Sequence, residues 1–392
     1  MLKEELENRL TLIQHKITKE GLDCLVVASE ENIWYITNIT YKPEERPFFI
    51  IITPNDKPTL VVPKLEEEHL KKGLLDCTVI SYWEYPAPNG ESWHDVLNDR
   101  IKEYERIGME ETIPAHIFQK IAGKELVQTS LLETIRKVKS AYEISKIKYS
   151  AKIAVQAMKK IVKSVYLGQS VLEPFTLSSS IQKELIKTKK YDPITTSLLS
   201  VVWPAPISAM PHAIPHLADK IEKGPNIAMS YFRINGYASE CERTLFLDKP
   251  TKDDEEHFHH MMVARNLALE SVKPGVRTED VDLAAKNYLI QQGYQDNLLH
   301  RTGHGIGLGN HEAPFMAEGS NEVLKENMVI SIEPGIYLHE TGGYRHSDTV
   351  LVTKDGYEIL TPFPVELNDM VIKNKNHSSR LKGKVIQKLL KL

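Results

Sequence analysis

The sequence predicts an α+β protein of two domains, and two observations support this prediction. The chain has 392 residues, which allows two domains that each bury their own hydrophobic core. Strand-like and helix-like segments alternate in the first third, whereas the rest begins with a long helix and continues as a strand pair, two helices and further strands. We expect a smaller α/β domain at residues 1–130 and a larger α+β domain at residues 131–392.

The N-terminal domain is expected to begin with an amphipathic helix that ends at Gly21. Apolar residues recur there at helical spacing, at Leu2, Leu6, Leu10, Ile13 and Ile17. Four short strand-like runs follow, with the sequences CLVVAS, FFIII, TLVVP and TVISY. The polar, helix-like piece KLEEEHLKK separates two of them, which indicates that strands and helices are layered.

The C-terminal domain is expected to open with a long helix over AYEISKIKYSAKIAVQAMKKIVKSV. The dipeptide Asn235-Gly236 then joins two strand-like runs and is the strongest short signal for a β-hairpin. Two helices are predicted at Thr251–Val272 and Thr278–Gln292. Further strands are predicted in NMVISIEPGIYL and GGYRHSDTVLVT. This order favours an α+β domain over a doubly wound sheet.

The composition is that of an ordinary globular protein. Hydrophobic residues make up 41% of the chain and charged residues 26%, and a net charge of −4 gives no reason to expect nucleic-acid binding. Three widely spaced cysteines, Cys24, Cys77 and Cys241, form no disulfide framework and favour a cytoplasmic location. No apolar run approaches the roughly 20 residues that a membrane helix needs, so no membrane partner is expected.

The C-terminal segment is basic from about residue 371. Its basic residues are Lys373, Lys375, Arg380, Lys382, Lys384, Lys388 and Lys391, and the segment contains no acidic residue. A solvated or frayed tail is the prediction for such a segment, and contact with an acidic partner is the alternative.

The predicted hairpin brings four side chains to one face. With Asn235-Gly236 as the turn, Met229 lies opposite Glu242, and Tyr231 lies opposite Glu240. All four side chains then project from the same side of the ribbon. Two carboxylates on one face need a metal ion, a cationic ligand or water to offset their repulsion.

Four other segments carry residues that are suited to chemistry. They are SAMPHAIP with His212, HRTGHGIGLGNHE with His300, His304 and His311, SIEPGIY with Glu333, and GGYRHSDT with Arg345, His346 and Asp348. Each segment alone also fits a tight turn, an exposed loop or a strand end. Their order along the chain is more informative than any one of them.

This order of motifs resembles the creatinase/prolidase family, whose catalytic fold is called pita-bread. The N-terminal stretch GLDCLVVASEENIWYIT is also similar to the opening of that family's N-terminal domain. The resemblance covers essentially the whole chain. It implies a hydrolase that acts on C–N bonds of a small-molecule substrate and that assembles as a homodimer.

The family's metallopeptidases hold two divalent metals with two Asp, one His and two Glu. The resemblance places these ligand positions at Met229, Glu240, His304, Glu333 and Ser347. A thioether and a hydroxyl are poor substitutes for carboxylates around Mn²⁺ or Zn²⁺. A two-metal centre is therefore not expected, whereas the remaining Glu240, His304 and Glu333 can form a site for one ion.

The family's creatinase branch hydrolyses a C–N bond without metal, and its ERTLF segment resembles Glu242–Phe246. Our leading hypothesis is therefore a creatinase-like hydrolase, on the metal-ligand-depleted side of the family, that uses no cofactor on an amidine, guanidino or amide substrate. Its catalytic residues would be His212, Glu242, His304, Glu333 and His346, and its substrate-binding residues would be Glu240, His311, Arg345 and Asp348. Within this set, His212 would be the general base, and the paired glutamates would hold a cationic substrate.

Two alternatives remain. The first is a metal-dependent Xaa-Pro dipeptidase or aminopeptidase of the prolidase type, with one Mn or Zn ion held by Glu240, His304 and Glu333. The second is a catalytically silent pita-bread scaffold that only binds a partner.

Overall fold

The protein is described here by a computed structural model that covers residues 2–42, 44–71, 73–123, 125–373 and 377–390. The chain divides into two compact units, Met1–Arg136 and Lys137–Leu392. The first unit is a layered α/β structure and the second combines a large antiparallel sheet with helices, which confirms the predicted α+β class.

The first unit contains six helices and six strands among its described residues. The helices are α1 Leu2–Lys19, α2 Glu30–Thr37, α3 Glu67–Leu70, α4 Trp93–Ile101, α5 Ala115–Phe118 and α6 Leu131–Lys137. The strands are β1 Cys24–Val27, β2 Phe49–Ile52, β3 Thr59–Pro63, β4 Thr78–Tyr82, β5 Arg106–Glu110 and β6 Glu125–Thr129.

The sheet of the first unit has the order β4-β3-β2-β1-β5-β6. Strand β1 pairs with β2 antiparallel and with β5 parallel, so the sheet is mixed. Both β1 and β2 are buried along their whole length, as expected for strands covered on both faces. Helix α1 buries Leu6, Ile13 and Ile17, which belong to the predicted apolar face.

The second unit contains seven helices and ten strands among its described residues. The helices are α7 Ala141–Ser164, α8 Leu172–Phe175, α9 Leu177–Lys187, α10 Lys252–Ser271, α11 Thr278–Gln291, α12 Leu367–Met370 and α13 His377–Leu390. The strands are β7 Ser197–Trp203, β8 Asn226–Ile234, β9 Tyr237–Leu245, β10 Gly303–Gly305, β11 Glu312–Met316, β12 Val329–Ile332, β13 Gly335–Leu338, β14 Gly342–Arg345, β15 Ser347–Val352 and β16 Tyr357–Ile359.

The main sheet of the second unit has the order β11-β10-β12-β15-β9-β8-β7, with β16 paired to β15. Strands β13 and β14 form a separate two-stranded sheet. The hairpin of β8 and β9 turns at Asn235 and Gly236, whose φ angles of 47° and 89° are those of the predicted turn. Met229 pairs with Glu242 and Tyr231 with Glu240, which confirms the predicted register.

The predicted helices of the second unit also begin and end close to the expected residues. Helix α10 starts with a capping box, in which Thr251 Oγ1 accepts from the backbone N–H of Asp254 over 3.1 Å, and Asp254 Oδ2 accepts from the backbone N–H of Thr251 over 2.8 Å. Helix α7 starts with the same arrangement at Ser140 and Glu143.

In its described part the basic segment from residue 371 is a mostly exposed helix, so it is solvated, as one form of the prediction has it, but it is not frayed. Residues 374–376 and 391–392, which include Lys375 and Lys391, lie outside the described residues. Residues 377–390 form helix α13, and Gln387 Nε2 donates to the buried Glu173 carboxylate over 3.2 Å. This hydrogen bond joins the helix to the rest of the second unit, while side chains such as Leu381 and Leu389 stay exposed.

Among the described residues, no helix combines the length and the apolar character required to cross a bilayer.

Candidate active site

A cavity of about 550 Å³ lies in the second unit and contains most of the residues singled out from the sequence. Its lining consists of Leu199, Trp203, Pro211, His212, Met229, Tyr231, Glu240, Glu242, Leu299, His300, Arg301, His304, His311, Ala317, Glu333 and Arg345. It is large enough for a small-molecule substrate.

The β8–β9 hairpin supplies one wall of this cavity. Met229, Tyr231, Glu240 and Glu242 all line it, as the predicted register requires. Met229 is buried against the apolar residues Val171 and Val201. The thioether therefore belongs to a small hydrophobic cluster at the position where the resemblance implied a metal-binding aspartate.

His304 lies on β10 and is buried. Its Nδ1 lies 3.1 Å from the carbonyl oxygen of Gly305, which can only accept, so Nδ1 carries the ring hydrogen. Its Nε2 lies 2.8 Å from Glu333 Oε1 and 3.8 Å from Glu240 Oε1. Nε2 has no aligned hydrogen-bond partner among the described residues. A buried imidazole nitrogen beside two carboxylates is a typical metal ligand.

Two glycines around His304 let β10 approach both neighbouring strands closely. A Cβ on Gly303 would lie 2.1 Å from the carbonyl oxygen of Ser331, and one on Gly305 would lie 2.3 Å from that of Ala313. Both obstacles are backbone atoms, which cannot move aside as a flexible side chain can. Glycine is therefore required for this placement of the His304 ring.

The carboxylates create a site that favours positive charge. Burial raises the pKa of Glu240 to about 8, and Ser347 Oγ donates to Glu240 Oε1 over 2.7 Å. Burial also opposes protonation of His304, but the charges of Glu240 and Glu333 outweigh it and raise the pKa of His304 to about 9. Burial opposes ionisation of Glu333, yet the contact with His304 lowers its pKa far below the ordinary value.

His311 joins this cluster from the loop that precedes β11. The ring centroids of His304 and His311 are 3.9 Å apart. One possible ligand atom from each of Glu240, His304 and His311 lies within 4.8 Å of the other two. Burial lowers the pKa of His311 to about 4, so its ring is neutral and has a free lone pair at pH 7. The next residue, Glu312, lies 3.0 Å from Lys139 Nζ, and this contact helps to hold the loop.

Glu242 is neutralised by the protein itself. Arg345 Nε donates to Glu242 Oε2, and both side chains are buried. Arg345 Nη1 donates to Tyr337 Oη over 3.0 Å, and Tyr337 Oη lies 2.7 Å from His300 Nε2. An external cation at Glu242 is therefore not required, because an internal guanidinium already pairs with this carboxylate.

His346 and Asp348, both included in the predicted site, are not brought into the cavity. His346 is fully buried and packs edge-on against Phe258 with ring centroids 5.2 Å apart. Asp348 accepts from Arg243 Nη2 over 2.7 Å and from Arg265 Nε over 2.9 Å. The physical reason is alternation along residues 345–348. Arg345 lines the cavity and Ser347 donates to the lining residue Glu240, so the residues between and after them face the other side.

The remaining predicted residue, His212, is exposed and lines the cavity. The structure adds Arg301, which the sequence-based site did not include, and Tyr337, which contacts the cavity residues Arg345 and His300. Both lie in motifs that were recognised, HRTGHGIGLGNHE and SIEPGIY. The signal was therefore present, but the direction of their side chains depends on loop and sheet geometry.

The fold and this cluster of acidic and imidazole ligands define a hydrolase with a candidate metal centre. Residues 145–354 match the model of metallopeptidase family M24, and residues 9–138 match that of the creatinase/prolidase N-terminal domain. The chain belongs to metallopeptidase family M24 and is a hydrolase that acts on C–N bonds. The hypothesis of a silent scaffold is therefore not supported.

Relatives and solved structures agree with this assignment. An uncharacterized peptidase of Staphylococcus epidermidis is 30% identical over 352 residues, which cover 90% of this chain and 98% of the relative. The prolidase from Pyrococcus horikoshii OT3 is 27% identical, with a TM-score of 0.76 over 92% of this chain and 99% of that one. A recombinant prolidase from Thermococcus sibiricus is 27% identical, with a TM-score of 0.79 over 92% of this chain and 98% of that one.

The expectation that the protein needs no cofactor is wrong. The matching family is one of metallopeptidases, and Glu240, His304 and His311 form a group that can hold a metal ion. The buried Nε2 of His304, which faces the carboxylates of Glu333 and Glu240, fits the same conclusion. Placement in the metal-depleted creatinase branch is likewise not supported by these comparisons.

Proposed function

We propose that this hydrolase is a metal-dependent dipeptidase of the Xaa-Pro type with a single-metal site. The observation that carries the proposal is the convergence of Glu240, His304 and His311, in which the buried His304 Nε2 has no aligned hydrogen-bond partner among the described residues. Two imidazoles and a carboxylate suit Mn²⁺ or Zn²⁺. Glu333, 2.8 Å from His304, can add a second carboxylate.

A single ion is proposed because the surrounding residues do not suit a second one. Met229 belongs to an apolar cluster, and Glu242 is already paired with Arg345. Ser347 offers a hydroxyl whose hydrogen is donated to Glu240. The positions that would complete a second site thus hold a thioether, an internal ion pair and a neutral donor.

The bound ion would supply Lewis-acid chemistry at the carbonyl of the scissile bond. Glu333, whose Oε1 lies 2.8 Å from His304 Nε2, would accept a proton from the attacking water and return it to the leaving nitrogen. His212, on the cavity wall, would donate a hydrogen bond to the substrate and orient its carbonyl. Trp203 and Leu199 would exclude water beside the substrate.

The prolidase-type substrate is supported by two solved prolidases with 27% identity that align over nearly their whole length. A cavity of about 550 Å³ also suits a dipeptide. A creatinase-like substrate has less support, because the proposed cation site at Glu242 is filled by Arg345.

The test is hydrolysis of an Xaa-Pro dipeptide panel and of creatine by the full chain, with Mn²⁺ or Zn²⁺ and with chelator. We expect dipeptide hydrolysis that chelator abolishes and added metal restores. The variant H304A should lose this activity, whereas the matched control H259A, on the exposed surface of α10, should keep it. Cleavage of creatine that is insensitive to chelator would refute the proposal.

Homodimer formation and a cytoplasmic location are retained as parts of this proposal. The family resemblance supports the first, and the three free cysteines support a reducing compartment. Light scattering of the purified chain tests whether a homodimer forms, and a molar mass equal to that of one chain would refute the homodimer.

A further inference from the structure

Helix α13 contacts the rest of the second unit through one side. Gln387 Nε2 donates to the buried Glu173 carboxylate over 3.2 Å, and Tyr166 Oη donates to the same carboxylate over 3.0 Å. Gly383 lies one turn before Gln387, and a Cβ there would collide with Tyr166 Oη and lie 2.5 Å from Glu173 Oε2. The helix therefore rests on this pair by the side that carries Gly383 and Gln387. It lies beyond residue 354, where the match to the metallopeptidase model ends.

The opposite side of α13 is apolar and exposed. Leu381, Val385 and Leu389 recur every four residues and form one stripe, with exposed fractions of 67%, 57% and 75%. Each lies two positions from Gly383 or Gln387, which corresponds to about 200° around the helix. The stripe therefore faces away from the protein, where a flat surface can contact all three side chains at once.

A row of cations runs beside this stripe. Arg380, Lys384 and Lys388 each precede one stripe residue, and all three are exposed. Within the described ranges of the chain they form no ion pair. The segment from residue 371 carries seven basic residues and no acidic one, whereas the whole chain has a net charge of −4. Positive charge is thus concentrated around an exposed apolar stripe, and the charge complement of this face is an anionic surface.

We propose that α13 binds the surface of a lipid bilayer that carries anionic headgroups. The apolar stripe enters the boundary between the headgroups and the acyl chains, and the cations beside it contact the phosphate groups. A helix of this kind lies in the plane of the surface, so the proposal requires no spanning helix, and none occurs among the described residues. The side that carries Gly383 and Gln387 stays on the protein and holds the enzyme at the membrane.

The experiment measures binding of the full chain to vesicles by co-sedimentation. We expect the wild type to bind vesicles of phosphatidylcholine mixed with phosphatidylglycerol, to bind vesicles of phosphatidylcholine alone far more weakly, and to be released by added salt. L381Q/V385Q/L389Q should weaken binding to the mixed vesicles at least about 10-fold, because it removes the apolar stripe. K384Q/K388Q should weaken it about 25-fold, because each lysine near an anionic surface contributes about 5-fold.

Two control variants match these changes in number and kind. L12Q/L65Q/L74Q replaces three exposed leucines of the first unit, and K152Q/K159Q replaces two exposed lysines of α7. Both controls should bind the mixed vesicles like the wild type. The circular dichroism spectrum and the urea midpoint of all four variants should equal those of the wild type, because every replaced side chain is exposed.

The vesicle assay can also overturn the proposal. Equal binding by the wild type and L381Q/V385Q/L389Q, or binding that does not depend on phosphatidylglycerol, would do so. Binding of poly-glutamate without binding of the mixed vesicles would overturn it as well and would indicate an acidic protein as the partner of α13. Peptidase activity is a separate readout, because no described residue of α13 lines the cavity, and every variant should retain the wild-type activity.

Discussion

Met229 lies directly opposite Glu242 in the β8–β9 hairpin, and the Glu242 carboxylate pairs with Arg345. An apolar side chain and an internal ion pair thus stand side by side on the wall of the cavity. The neighbouring carboxylates, Glu240 and Glu333, remain close to His304. Glu242 is already paired with an internal cation, whereas Glu240 and Glu333 lie beside a histidine that can bind metal. We therefore propose one metal ion.

The buried pair of Glu242 and Arg345 provides the first prediction. R345M removes the guanidinium and leaves Glu242 buried without a partner, so we expect the free energy of unfolding to fall by about 3–5 kcal/mol. The double variant R345M/E242M removes both charges and should be clearly more stable than R345M. Urea unfolding measures the free energy of unfolding of both variants. A loss below about 1 kcal/mol in R345M would show that the pair is not needed to hold Glu242.

The close approach of β10 to β12 provides the second prediction. A Cβ at residue 303 would lie 2.1 Å from the carbonyl oxygen of Ser331, so G303A must displace the strand that carries His304. We expect a loss of stability of about 1–3 kcal/mol and weaker metal binding. G356A is the control, since a Cβ added at residue 356 would have no atom within 4 Å apart from its chain neighbours. Metal affinity equal to wild type in G303A would contradict this account.

The buried imidazole of His346 provides the third prediction, on pH dependence. Burial lowers its pKa well below the ordinary value, and the charges of Arg243 and Arg265 lower it further. The folded protein therefore holds a neutral ring, whereas the unfolded chain binds a proton below about pH 6.5. The contribution of this neutral ring to stability is fully present above that pH, and it is lost as pH falls, by up to about 1.4 kcal/mol per pH unit.

The variant H346L removes this proton linkage. The free energy of unfolding should therefore fall less steeply between pH 6.5 and 5 in H346L than in the wild type. H259Q, a substitution at an exposed histidine of α10, is the matched control for the loss of an imidazole. Equal slopes for H346L and the wild type would show that the His346 ring takes up a proton in the folded state.

Local rules predicted the hairpin and with it one wall of the cavity. The Asn235-Gly236 turn fixes the register, and the period of two in strands then places Met229, Tyr231, Glu240 and Glu242 on one face. The same period of two excludes Arg345 and His346 from sharing a face. Applied to GGYRHSDT, it would have removed His346 from the candidate site.

The loop residues of the site could not be placed in this way. His311 and Arg301 flank β10 in segments without a repeating period, so their side-chain directions depend on contacts with His304 and Phe315. The pairing of Glu242 with Arg345 joins residues 103 positions apart. Without that contact, an external cation was the simplest partner for the glutamate.

The most direct test of the single-metal account is the metal content of the purified chain after dialysis against Mn²⁺ or Zn²⁺ and removal of loosely bound ions. Elemental analysis should find one ion per chain in the wild type and in H346L, and far less than one in H304A. Two ions per chain, or an H304A variant that retains its ion, would contradict the proposed site.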